Sequence, residues 1–148
     1  MNMESSVRID APPAVVWEVF GDVERWPDWT ASIERVVALD GRSLAVGRRF
    51  AIKQPRLPNL VWEVTELVPG ASWTWRQRSP GATAVATHEV TADGPARTLV
   101  RQSFAQHGPI GALLGRLFAG TTRRYLEMEA AGLKAASEAR AGRDAAPA

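Results

Sequence analysis

The chain predicts an α+β domain in which a curved antiparallel sheet of seven strands closes over one long carboxy-terminal helix. Two observations carry this. From about residue 30 to about residue 106, short runs of alternating apolar character are separated by turn residues. From Pro109 to Arg140 the apolar period changes to three-and-four spacing. A single long helix that follows an antiparallel sheet must bury its stripe on that sheet, and a bent sheet over a helix can enclose a pocket.

Ser5 to Asp10 alternates, with Val7 and Ile9 on one face, and reads as a short strand. Pro12 and Pro13 suit the first turn of a helix, where a missing N–H costs nothing. That helix runs from about residue 13 to 20, with Val15, Val16, Val19 and Phe20 as its buried stripe and Gly21 as its stop. Asp22 can cap a second short helical turn, which Pro27 prevents from continuing. Six strands follow: Ser32 to Asp40, Arg48 to Gln54, Leu60 to Leu67, Ser72 to Arg78, Thr83 to Thr91 and Arg97 to Gln106. Asp40-Gly41, Pro55 to Asn59, Pro69-Gly70, Pro80-Gly81 and Asp93-Gly94-Pro95 turn the chain between them, and connections this short require antiparallel neighbours.

In the final helix Ile110, Leu113, Leu114, Leu117, Phe118, Thr121, Tyr125 and Met128 form the expected buried stripe. Glu127, Glu129, Lys134 and Glu138 are expected on its wet side. A rod of thirty residues would span ~45 Å, enough to cross the sheet. The glycines at 108, 111, 115 and 120 suggest close helix-to-sheet contacts, with a bend near Gly120. Fraying is expected from Ser137, giving one domain over residues 1–140 and a flexible tail over 141–148.

At 148 residues and 45% hydrophobic, the chain is long enough for one core and a cavity within it. It has no cysteine, which excludes disulfides, thiolate metal sites and a cysteine nucleophile and suits a cytoplasmic protein. MNMESSVRID has no basic stretch before an apolar run, so no signal peptide is expected. The longest apolar run, Ile110 to Leu114, is far short of the ~20 residues that span a bilayer. Eighteen basic residues against sixteen acidic leave a net charge of only +2. Arg48, Arg49, Lys53 and Arg56, like Arg123 and Arg124, therefore read as solvated faces, and no nucleic-acid partner is expected.

The order of strand, two short helices, six strands and a long helix resembles the helix-grip fold of the START-like (SRPBCC) superfamily, in particular its polyketide cyclase/dehydrase-like branch. The matching stretches are APPAVVWEVFGDVERWPDW (11 to 29), VGRRFAIKQPRLPNLVWEVTELVPGASWTW (46 to 75) and GPIGALLGRLFAGTTRRYLEMEAAGLKAASE (108 to 138). The resemblance implies a cavity between sheet and helix. For function it implies a range, because such families hold lipid and steroid carriers, hormone binders and polyketide cyclases.

Alternation along each strand assigns the walls of that cavity. The inward sets are Phe50 and Ile52, Leu60, Trp62 and Val64, then Trp73, Trp75 and Gln77, and finally Val100, Gln102 and Phe104. For Thr83 to Thr91 the set Ala84, Ala86, His88 and Val90 is taken as internal, since the alternative buries Glu89. Leu114, Phe118 and Tyr125 are the helix's contribution. Trp17, Trp26 and Trp29 read as structural, while Trp62, Trp73 and Trp75 are either pocket lining or plain core.

Polar groups among apolar neighbours need partners, and a ligand can be one. His88, Gln102, Gln77 and Tyr125 are such groups, and His88 and Tyr125 are the candidate proton carriers. His107 reads as a loop residue. Two distant histidines without cysteine point to no metal site, and no cofactor is expected. The favoured function is binding or carriage of a small hydrophobic or aromatic molecule. The alternatives are a cyclase, aromatase or dehydratase acting on a cavity-bound substrate, and an interaction module using Leu57, Leu60 and Val61 as its surface.

Overall fold

The computed structural model describes residues 2–145. Seven antiparallel strands form one sheet: β1 (Asn2–Ile9), β2 (Arg35–Ala38), β3 (Arg49–Lys53), β4 (Leu60–Val68), β5 (Ser72–Ser79), β6 (Ala82–Ala92) and β7 (Thr98–His107). Their order across the sheet is β1-β7-β6-β5-β4-β3-β2, so only β1 and β2 are edges, and both short helices lie in the connection between these two strands. The expected fold class is the observed one: an antiparallel sheet packed against a long carboxy-terminal helix.

Helix α1 (Pro13–Gly21) begins after an extended Pro12, with Pro13 in its first turn. Val16 and Phe20 point into the core. The second short helix is a 3₁₀ segment, Val23–Asp28, consistent with Pro27 blocking a longer α-helix. The Thr98 hydroxyl donates to the Ala11 carbonyl at 2.7 Å, tying the start of α1 to β7.

Strand β2 is much shorter than Ser32 to Asp40. Ser32 instead bonds Thr30 side chain to side chain at 2.7 Å, which holds that stretch as a turn. A bulge between Val64 and Glu66 shifts the register of β4 against β5 and brings Leu67 opposite Trp73 and against the core.

The carboxy-terminal helix is two helices, α2 (Pro109–Leu117) and α3 (Ala119–Ala145), broken at Phe118. The break falls two residues before the bend expected at Gly120, and it has two consequences. The apolar stripe on α2 faces outward: Ile110, Leu113 and Leu117 are exposed, because the helix approaches the sheet through its glycine side. A Cβ on Gly111 would lie 3.5 Å from the Ala82 Cα. The amides of Ile110 and Gly111 both donate to the Gly81 carbonyl, at 3.0 and 3.2 Å, and a Cβ on Gly108 would lie 2.5 Å from the same oxygen. Glycine is thus required at 108, where φ is 88°, while Gly111 makes an ordinary close contact.

The second consequence is a reset of helical phase. The buried residues of α3 are Leu126, Glu129, Leu133 and Ser137, so Glu129 faces the interior rather than water. Nor does the chain fray at Ser137, which is fully buried; α3 continues to Ala145, through the first part of the expected tail. Residues 146–148 of that tail lie outside the described residues. Farther along α3, a Cβ on Gly132 would collide with the Trp29 carbonyl. Among the described residues, no helix is long and apolar enough to cross a membrane.

Candidate functional site

The sheet and the two carboxy-terminal helices enclose a cavity of about 400 Å³. Eleven of the residues expected at a ligand site border it. From the sheet these are Ile52, Trp62, Trp75, Gln77, Ala86, His88, Gln102 and Phe104; from the helices they are Leu114, Phe118 and Tyr125. Strand alternation found the eight on the sheet because each strand places its apolar parity on the inner face, and the chosen parity of β6 holds, with Ala84, His88 and Val90 buried and Glu89 exposed.

Phe50, Val64, Trp73 and Val100 share that face but do not reach the cavity. They are buried core at its closed side. Trp73 is the clearest correction: Phe20 stands 4.7 Å and Trp17 5.7 Å from it, centroid to centroid, and both meet it edge-on. The two amino-terminal helices have filled the space in front of it. Conversely Trp26, expected as purely structural, borders the cavity while its indole N–H donates to the Phe20 carbonyl at 2.8 Å. Trp17 and Trp29 pack against the core as expected.

The loop between β3 and β4 forms part of the cavity's rim. Lys53 donates to the carbonyls of Gln54 and Leu57 at 2.7 and 2.6 Å, folding the loop on itself, and Arg56 takes a left-handed φ of 66°. Leu57 and Leu60, proposed from sequence as an interaction surface, turn inward and border the cavity; of that trio only Val61 is exposed. Arg56 is exposed at the rim, whereas Arg49 is held by Asp40 in a two-pronged pair with contacts of 3.0 Å. That pairing lowers the Asp40 pKa, chiefly through the Arg49 hydrogen bond.

Three of the polar groups singled out from sequence are engaged within the protein. His88 bonds the Trp73 carbonyl through Nδ1 at 3.3 Å, which leaves Nε2 as the acceptor. Burial lowers its pKa to about 3, with the bond to Trp73 opposing the shift. Tyr125 donates its hydroxyl to the Pro55 carbonyl at 2.5 Å and so straps α3 to the rim loop. Gln77 donates to Ser79 at 2.6 Å. Gln102 differs: it is 5% exposed, and its amide oxygen has no partner among the described residues.

Glu129 is the residue that sequence reasoning missed. It borders the cavity, is 8% exposed, and burial raises its pKa to about 8. Its spacing from Leu126 and Leu133 was the available signal, obscured by carrying the α2 stripe across the break. Another hollow, of about 570 Å³, lies on the sheet's outer face, but Glu4, Thr87, Glu89 and Arg101 make it polar and open to solvent.

Several solved structures share this architecture. The Helicobacter pylori hypothetical protein jhp0584 matches with a TM-score of 0.80 at 16% identity, over 93% of this chain and 88% of that one. The ZhuI aromatase/cyclase from Streptomyces sp. R1128 matches with a TM-score of 0.74 at 18% identity, over 95% of this chain and 94% of that one. A norcoclaurine synthase point mutant from Thalictrum flavum gives 0.67 at 11% identity, over 90% of this chain and 93% of that one. At such identities the likeness is one of fold. No curated protein matches the sequence. Residues 1–138 match the family described as "Polyketide cyclase / dehydrase and lipid transport", and to that family the chain belongs.

Proposed function

We propose that the protein binds and carries a small, mostly apolar molecule in the cavity between its sheet and its carboxy-terminal helices, with residues 1–140 acting as one ligand-binding domain. The observation that carries this reading is the cavity itself. Its volume of about 400 Å³ lies within the ~300–1,000 Å³ usual for small-molecule sites, and Trp62, Trp75, Phe104, Leu114, Phe118 and Leu126 give it apolar walls. The exposed lining residues Arg56, Pro58, Ser79 and Phe118 mark its open end. A ligand of ~20 atoms at ~0.3 kcal/mol per atom would bind with about 6 kcal/mol, a dissociation constant in the tens of micromolar that suits reversible carriage.

Carriage is favoured over cyclase-type catalysis by the state of the two sequence-identified proton carriers. The Tyr125 hydroxyl is committed to Pro55, and a histidine whose conjugate acid has a pKa of about 3 is too weak a base at neutral pH. Mass spectrometry of the protein purified under native conditions tests the reading. An apolar compound released on denaturation supports it. The absence of any such compound, together with unchanged tryptophan emission on titration with sterols, fatty acids, quinones and aromatic polyketides, contradicts it.

A further inference from the structure

An apolar cavity does not explain Glu129. Its carboxyl enters the interior from the middle of α3, one turn beyond Tyr125, and among the described residues it has neither hydrogen-bond nor ion-pair partner. The carboxyl oxygens open onto the cavity, so a polar group within that space must meet them. The same position filled with leucine would extend the stripe of Leu126 and Leu133 with no such requirement. A partner absent from the chain itself resolves the discrepancy.

We propose that Glu129 is the polar recognition residue of this cavity, donating its carboxyl proton to a carbonyl oxygen at the buried end of an otherwise apolar ligand. The inference rests on the carrier reading and names the chemistry of the ligand's inner end. The titratable groups facing the same space are His88 from β6, Tyr125 from α3 and Arg56 at the rim, with Gln77, Gln102 and Gln106 among the neutral polar ones. His88 is neutral near pH 7, so among the described residues Arg56 is the only cation in the lining, and it stands at the exposed end. Among the described residues no base in the lining is therefore placed to take the Glu129 proton, and burial favours the neutral acid, with a pKa of about 8. A neutral carboxylic acid is a donor that needs an acceptor.

The competing partner is an amine. Pairing it with a carboxylate would desolvate two charges in an apolar interior that offers few further hydrogen bonds, and the amine would have to enter past Arg56. A carbonyl requires no such desolvation of charge.

Calorimetric titration of the full chain with three probes of matched shape, acetylnaphthalene, ethylnaphthalene and naphthylethylamine, separates these cases. Near pH 6 the ketone is expected to bind about tenfold more tightly than the hydrocarbon or the amine. That advantage should vanish in Glu129→Leu and, for the wild type, near pH 9.5; Glu129→Gln, which keeps a donor, should retain it at both pH values. Equal affinity for ketone and hydrocarbon would overturn the role of Glu129 while leaving the carrier reading standing. Tightest binding of the amine, lost in Glu129→Gln, would overturn it in favour of a counter-ion. No binding of any probe to protein with a native circular dichroism spectrum would remove the carrier reading and this inference with it.

Discussion

His88 lies flat against Trp73, with ring centroids 4.1 Å apart and planes 13° from parallel, and its Nδ1 bonds the Trp73 main-chain carbonyl. The imidazole therefore belongs to the aromatic core as much as to the cavity. Phe20, Trp26 and Trp75 surround it edge-on or nearly so, at 5.4, 6.0 and 5.1 Å. A proton added there would place a charge among aromatic rings, and among the described residues His88 has no ion-pair partner.

The acid side of the stability profile follows from that burial. The folded pKa of His88 is about 3 against an ordinary 6.5, so between those values the unfolded chain holds the extra proton and stability falls with pH by up to about 1.4 kcal/mol per unit. Urea titrations from pH 6.5 downward are expected to show a shallower loss in His88→Gln than in the wild type. Identical acid limbs in the two proteins would contradict a buried, neutral His88.

Glu129 acts in the opposite direction. Its folded pKa of about 8 lies above the ordinary 4.5, so its contribution is fully present below pH 4.5 and declines as pH rises through 8. Between pH 4.5 and 6.5 the two residues oppose each other; from pH 6.5 to 8 Glu129 acts without His88. Over that upper window the wild type is expected to lose up to ~2 kcal/mol and Glu129→Gln to lose much less, measured by urea midpoint.

Gly132 is where α3 meets the segment after the 3₁₀ helix most closely. The atom a Cβ would strike is the Trp29 carbonyl oxygen, which is main chain and cannot rotate away. Gly132→Ala is expected to destabilise by ~1–3 kcal/mol despite alanine's better helix propensity. Gly142→Ala, where nothing lies within 4 Å, should be neutral or slightly stabilising, and the pair of thermal midpoints checks the contrast.

The Tyr125 strap sets the mobility of the rim. In Tyr125→Phe the ring stays and the hydrogen bond to Pro55 is lost, so global stability should change by only ~1 kcal/mol. Hydrogen exchange of residues 54 to 59 is expected to quicken several-fold, with the amides of β6 unaffected.

The fold was legible because strand alternation and turn residues are local. Trp73, Trp75 and Gln77 face inward as their parity requires, and Gly81, with φ 74°, turns the chain between β5 and β6 as Pro80-Gly81 implies. The floor of the cavity followed from the same rule. What sequence could not supply was depth and phase. Parity assigns Trp73 and Trp75 to one face but cannot tell that Phe20 and Trp17 fill the space before the first and not the second. A period extended through Phe118 likewise concealed the inward turn of Glu129, since one irregular residue rotates everything after it, while Leu113 and Leu117 face out because α2 meets the sheet through Gly111 and Gly115.

The most direct test of the central claim is to fill the cavity. Ala86 lies between Trp75 and Phe104 across the sheet and borders the empty space, so a phenylalanine there would occupy it. Calorimetric titration of acetylnaphthalene into wild type and Ala86→Phe is expected to give saturable binding to the first and none to the second, with unchanged circular dichroism. Equal affinity in both proteins would contradict a ligand site between sheet and helix.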